Sequence, residues 1–258
     1  MTTAEGQPGA PAAGLRRAWG LLALAADRRA LGWRRLAEAF YGPSAAWTED
    51  LLAGRIEADL RLATAWLDSD RELFDPPLAA LRRFVESEAG DPPDAVRIAL
   101  EVEHARLFVG PEQVPAPPYE SVWVDVDPDS GGHVFGGAST AAVEAAYHEH
   151  GLVRDPGHHD LPDHVATEQE FCCYLCEREA QAWRDGTPEQ AKALRAAAQG
   201  FVATHLARFA PDFCAAVRAA APESCYAAFA GFLLAHLTVE SGTPYVEVVT
   251  SIWNSPGR

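Results

Sequence analysis

A chain of 258 residues, 48% hydrophobic and 22% charged, has the size and composition of a globular protein with an ample core. Its 37 acidic and 21 basic residues leave a net charge of −16, which argues against a nucleic-acid backbone as partner, since phosphate binding needs clustered Lys and Arg. A basic peptide suits that charge; so does a plainly solvated acidic surface.

Residues 1–13, rich in Gly, Pro and Ala, read as a disordered tail. Arg16-Arg17 before the apolar run Ala18 to Ala26 superficially suggests a signal peptide. The run meets Asp27-Arg28-Arg29 without a cleavage pattern, and it falls far short of the roughly 20 residues that span a bilayer. Leu15, Leu22, Ala26, Trp33 and Leu36 share a helical apolar face, so residues 14–40 are expected to form a first helix in a cytoplasmic chain.

Helical spacing continues over 47–68, through Leu51, Ile56, Leu60, Ala63 and Leu67. Pro76-Pro77 opens a short helix through Leu81 and Val85, and Pro92-Pro93 opens another that stops at Gly110-Pro111. Thr187-Pro-Glu-Gln190 has the form of a capping box and starts a helix expected to reach Phe209 and stop at Pro211. Residues 223–240 and 244–253 read as two more helices. The exception is 110–137, a Pro/Gly/Asp-rich loop with Val122 to Val126 as a short extended piece. The expected architecture is all-α and bundle-like. It has a helical part at 14–109, the loop 110–137 and a second helical part at 138–253, within one domain spanning 14–258.

Two blocks carry the chemistry. The first runs from Glu103-His-Ala-Arg-Leu-Phe-Val-Gly-Pro111 into Pro117-Pro-Tyr-Glu-Ser-Val122. Glu103 is expected on the buried side of its helix, where it either braces Arg106 or a tyrosine, or contacts a basic peptide. The prolines before Tyr119, Glu120 and Ser121 pre-organise an aromatic, a carboxylate and a hydroxyl, a set suited to a guanidinium or to anchoring the loop. The second block is Leu161-Pro-Asp-His-Val-Ala-Thr-Glu-Gln-Glu-Phe171, read as a helix start with Asp160 as cap and His164 and Glu168 on one face.

Together, in this order, the blocks resemble the TorD/DmsD family of molybdoenzyme maturation chaperones. The resemblance implies an all-α, non-enzymatic, cytoplasmic chaperone. Its partner would be the apo catalytic subunit of a molybdenum-containing oxidoreductase of the dimethyl-sulfoxide-reductase superfamily, bound through the subunit's leader and body. The chaperone would assist molybdopterin insertion and delay export, without a cofactor of its own, as a monomer or a domain-swapped dimer. Carried over by match, Asp163 and His164 become the foremost peptide-binding residues. Tyr119, Glu120, Ser121 and Glu168 join them, and the two pairs Tyr119-Glu120 and Asp163-His164 are expected to converge. Glu103, Arg106, Phe108, Glu170 and Phe171 serve either structure or binding. Gln169 and Cys172-Cys173 stand where the family has apolar residues.

A rival reading is a metal-dependent helical-bundle enzyme using Glu101, Glu103, His104, His164 and Glu168. The histidines at 148, 150, 158, 159 and 164 and the pair Cys173-x-x-Cys176 invite it. Against it, the sequence has one Glu-x-x-His motif where a di-iron bundle wants two, and one C-x-x-C where structural zinc wants more. The odd count of five cysteines, three of them at 172, 173 and 176, fits reduced core-filling thiols free of metal. No phosphate loop, nucleophile elbow or dinucleotide fingerprint is present, which favours a binding protein.

Overall fold

The computed structural model describes residues 13–242 except 66, 68, 69, 111–113, 128, 154, 156, 158 and 159. The expected tail at 1–13 and helix at 244–253, as well as His158 and His159, therefore lie essentially outside the described residues. Within them the chain is all-α, with no strand beyond two isolated bridges.

Helix α1 (Ala13–Tyr41) is the long first helix, and it packs along α8 (Val165–Arg184). Leu22, Ala26, Trp33 and Leu36 are buried on that side, while Leu15 remains exposed. The 47–68 pattern resolves into α2 (Ala45–Leu52) and α3 (Arg55–Thr64), because Gly54 turns the chain at φ 71°, a left-handed value that glycine adopts freely. Ser44 caps α2 by accepting the Trp47 amide. A 3₁₀ turn (Asp70–Leu73) leads into α4 (Asp75–Ser87), and α5 (Pro93–Phe108) follows; each helix has proline in its first turn, as expected.

The loop after α5 is not wholly irregular. Residues expected to be extended instead form a short helix α6 (Glu120–Val124), and Asp125 then caps α7 (Ala138–Glu149) by accepting the Ser139 amide and hydroxyl at 2.8 and 2.7 Å. α9 (Pro188–Thr204) begins at the expected proline, but the capping box does not form. Thr187 instead donates its hydroxyl to the Ala182 carbonyl at 3.0 Å and to Gln190 at 3.3 Å. Nor does the helix run on to Phe209. It breaks at His205, and Pro211 sits inside α10 (Leu206–Ala220). α11 (Cys225–Gly242) is hydrophobic all round and lies against α4, α10 and α1.

Four buried charged residues join helices from both ends of the chain. Arg29 of α1 donates to Glu240 of α11 at 2.6 Å, to Glu179 of α8 at 2.8 Å and to the Cys176 sulfur at 3.1 Å. Arg195 of α9 donates to the other Glu240 oxygen at 2.7 Å. Nothing in the linear sequence pointed to this cluster.

Candidate functional site

The site is assembled by backbone pairing between the two motif blocks. Tyr119 and His164 form an antiparallel bridge. Around it, the Val165 amide donates to the Pro118 carbonyl at 2.7 Å, and the Glu120 amide to the Asp163 carbonyl at 3.0 Å. One Asp163 oxygen then accepts the Ser121 amide at 2.9 Å. Segments some forty residues apart are thus stitched together, and the stitching brings Tyr119, Glu120, Ser121, Asp163 and His164 into one cluster.

Their individual places differ from a presented loop. Glu120, Ser121, Asp163 and Glu168 are fully buried, so in this structure their side chains are not offered to a peptide. Glu120 faces His205 Nδ1 at 2.9 Å and accepts from Arg208 at 3.2 Å, tying the loop to the α9–α10 corner. Ser121 Oγ accepts the Gly136 amide at 3.2 Å. Tyr119 is half-buried; it donates to Asp160 at 3.0 Å and meets the rings of Phe135 and His164 edge-on. Burial, with Asp160 close by, pushes its phenol well up.

Asp160 is therefore not the cap of α8. That position belongs to His164, whose Nδ1 accepts the Ala166 amide at 3.2 Å and so carries no proton. The His164 ring also stacks flat on Tyr41, with centroids 5.6 Å apart. Glu168, one turn along α8, has both carboxylate oxygens buried without a hydrogen-bond partner, and one Asp163 oxygen shares that condition. Burial pushes the Glu168 carboxyl well above its usual range, and the neighbouring Glu120 and Asp163 add to the effect.

Glu103 does not point into the core. It lies half-exposed on α5 and makes a two-pronged pair with Arg106, both bonds 2.7 Å, while Arg106 also donates to the Ala220 carbonyl at 3.1 Å. This brace ties α5 to the end of α10. Exposed pairs contribute little, so Arg106→Ala is expected to cost only about 0.5–1 kcal/mol in urea unfolding; a loss above about 2 kcal/mol would mean that the brace carries more than its surroundings allow. Phe108 is core, packed against Phe40, His104 and Tyr226.

The rival set does not converge on a metal. Glu101 pairs with Arg97, Glu103 with Arg106, and His104 faces the Phe40 carbonyl at 3.1 Å, while His164 caps α8. Among the described residues no group of three His, Cys, Asp or Glu could hold a metal ion. Cys172, Cys173 and Cys176 are all buried free thiols, and burial pushes Cys173 up to about 12.

Beside the buried cluster lies an open cleft of about 450 Å³ between the end of α1, α7, the residues Leu152, Val153, Asp155, Gly157 and Pro162, and α8. Glu170 and Phe171, both singled out from sequence, form one wall. Tyr41, Tyr147, Tyr174 and the carboxylates Glu144 and Asp155 complete it, and no Lys or Arg is among its described lining residues. The stitched motif sets its shape. Tyr147 donates to the Pro162 carbonyl at 2.9 Å, and the Tyr41 hydroxyl donates to Glu170 at 2.8 Å and lies 3.0 Å from Thr167. Tyr41 and Tyr147 were missed from sequence, where a tyrosine on a helix looks the same whether it lines a core or a cleft. The arrangement offers apolar ring faces with a rim of negative charge, suited to a chain segment bearing both apolar and basic side chains.

Among the described residues no helix is long and apolar enough to cross a membrane. The chlorate reductase assembly chaperone protein of Ideonella dechloratans and the selenate reductase assembly chaperone protein of Thauera selenatis are similar to this chain. Each is 41% identical over 70 residues, which is 27% of this chain and 34% of the relative. The matched region therefore spans about a third of those curated relatives. The nitrate reductase delta subunit family matches residues 67–215, more than half of the chain and inclusive of both motif blocks. The chain belongs to that nitrate reductase delta subunit family, the TorD-like family that its motifs resemble.

Proposed function

We propose that this protein is a non-enzymatic, cytoplasmic assembly chaperone for the catalytic subunit of a molybdenum-containing reductase. The observation that carries the reading is the tyrosine-walled acidic cleft built on the 162–171 motif, in a chain whose relatives are named as reductase assembly chaperones. The cleft holds the client's basic leader, with Glu144, Asp155 and Glu170 facing its arginines and Phe171 and the tyrosines facing its apolar residues. Tyr119, Glu120, Ser121, Asp163, His164 and Glu168 position that cleft from behind. While the leader is held, the client stays open for molybdopterin insertion and export waits. Ordering a flexible leader offsets part of the contact energy, which keeps binding reversible.

The test begins with a pull-down from the native cell, identifying the co-purifying large subunit by mass spectrometry. A labelled peptide of that subunit's leader is then titrated against wild type and the double variant Glu144→Lys/Glu170→Lys. Affinity is expected to fall at least tenfold, about 1.4 kcal/mol, with the difference shrinking at high salt. In contrast, Asp163→Asn should lower the melting temperature, since it weakens a buried bond to the Ser121 amide. Unchanged leader affinity in the double variant would remove the cleft from the mechanism.

A further inference from the structure

A second depression, of about 500 Å³, lies between α4, the end of α10 and α11 and shares no lining residue with the acidic cleft. Its character is opposite. Arg83 and Arg218 stand on it, and no carboxylate is among its described lining residues. Neither arginine makes a hydrogen bond or ion pair with any described residue, whereas most other described arginines of this acidic chain do. A further hollow of about 400 Å³ extends it towards Ala215 and Ala219 and shares Arg218, Pro222 and Ala227.

The floor explains what shape would fit. From Cys225 to Glu240, α11 is buried everywhere except Ala227, Gly231, Leu234 and Thr238. Their spacing of four, three and four keeps them on one face, a stripe about 16 Å long at the helical rise, or three turns. Gly231 admits Pro77 of α4, whose Cβ lies 3.2 Å from where a Cβ on the glycine would stand, so the open part of the floor is at Ala227, Leu234 and Thr238. Leu73, 44% exposed, adds apolar surface at the edge.

We infer that this groove docks an acidic amphipathic helix of a partner protein, its apolar face on the α11 stripe and its carboxylates on the Arg83 and Arg218 forks. Arginine suits that role because its planar fork pairs with a carboxylate through two parallel bonds. The local positive charge selects against a basic leader, and the net charge of −16 carried by every copy disfavours association of the chain with itself. The inference stands apart from the leader reading, and the two fail separately.

The probe is a fluorescein-labelled 18-residue helical peptide with an Ala/Leu face and Glu on its remaining positions, followed by anisotropy with the full chain at low salt. Saturable binding is expected. It should weaken at least tenfold in Arg83→Glu/Arg218→Glu, and likewise in Ala227→Phe, which fills the floor without altering charge. Glu144→Lys/Glu170→Lys should leave it unchanged. Circular dichroism and melting curves confirm that each variant is folded. No saturable binding to wild type, or equal affinity for the charge-reversed variant, overturns the inference. So does a wild-type dimer that the charge reversal converts to monomer, because the occupant would then be a second copy.

Discussion

Glu240→Ala is expected to destabilise the protein by about 3–5 kcal/mol, the largest loss from any single carboxylate in the fold. Glu240 accepts from Arg29 with one oxygen and from Arg195 with the other, all three side chains being buried. Its removal leaves two guanidinium groups in the core with Glu179 as their remaining carboxylate. Uncompensated buried charge, rather than the lost attraction, makes the change severe. Burial alone would push the Glu240 carboxyl up, but Arg29 and His236 beside it hold it below the usual range. A carboxyl with a depressed folded-state pKa contributes stability above its unfolded value of about 4.3, and that stability is lost as pH falls through the folded value. The Glu240→Ala deficit should therefore be full at pH 7 and shrink in strong acid. Urea unfolding at both pH values measures it, and a deficit below about 1 kcal/mol at pH 7 would contradict the cluster's role.

Glu168→Gln has the opposite sign. The carboxyl is buried without a hydrogen-bond partner and its pKa is raised, so the native state binds this proton more tightly than the unfolded chain does. Stability from this group is full below the unfolded value of about 4.3 and declines as pH rises towards the folded value. Glutamine keeps the shape and needs no proton. The variant is expected to be more stable than wild type by about 1–3 kcal/mol at pH 7 and equal to it below about pH 4. Chemical denaturation across that range decides the matter. A loss of stability at pH 7 would show that Glu168 is ionised and paired.

How far the sequence was legible depended on the range of the forces involved. Proline pairs at 76–77 and 92–93 act locally and opened α4 and α5 where expected. The meeting of Tyr119-Glu120 with Asp163-His164 was expected from their chemistry and from the match of both motifs to one pattern, and backbone bonds stitch the two segments together. What failed to read was set at a distance. The break between α9 and α10 falls at His205, which faces Glu120, 85 residues away, so Pro211 was mistaken for the stop. Thr187 had a nearer carbonyl to satisfy than the cap it spells. Of the cleft, Glu170 and Phe171 were visible, while Tyr41 and Glu144 depended on how α1 and α7 come to lie beside α8. The charges of Arg29, Glu179, Arg195 and Glu240 carry no local signal of burial, because their burial exists only once four helices are in register.

That register has a bearing on how the chain is made. Arg29 is synthesised 150 residues before Glu179 and 211 before Glu240. At about 5–20 residues per second, roughly 10–40 seconds separate the first charge of the cluster from the last. For most of that interval Trp33 and Phe40 of the same helix lack their ring partners His236 and Phe213 on later helices. A protein proposed to shelter another's unfinished state thus passes through an unfinished state of its own, with α1 waiting for its contacts to α11.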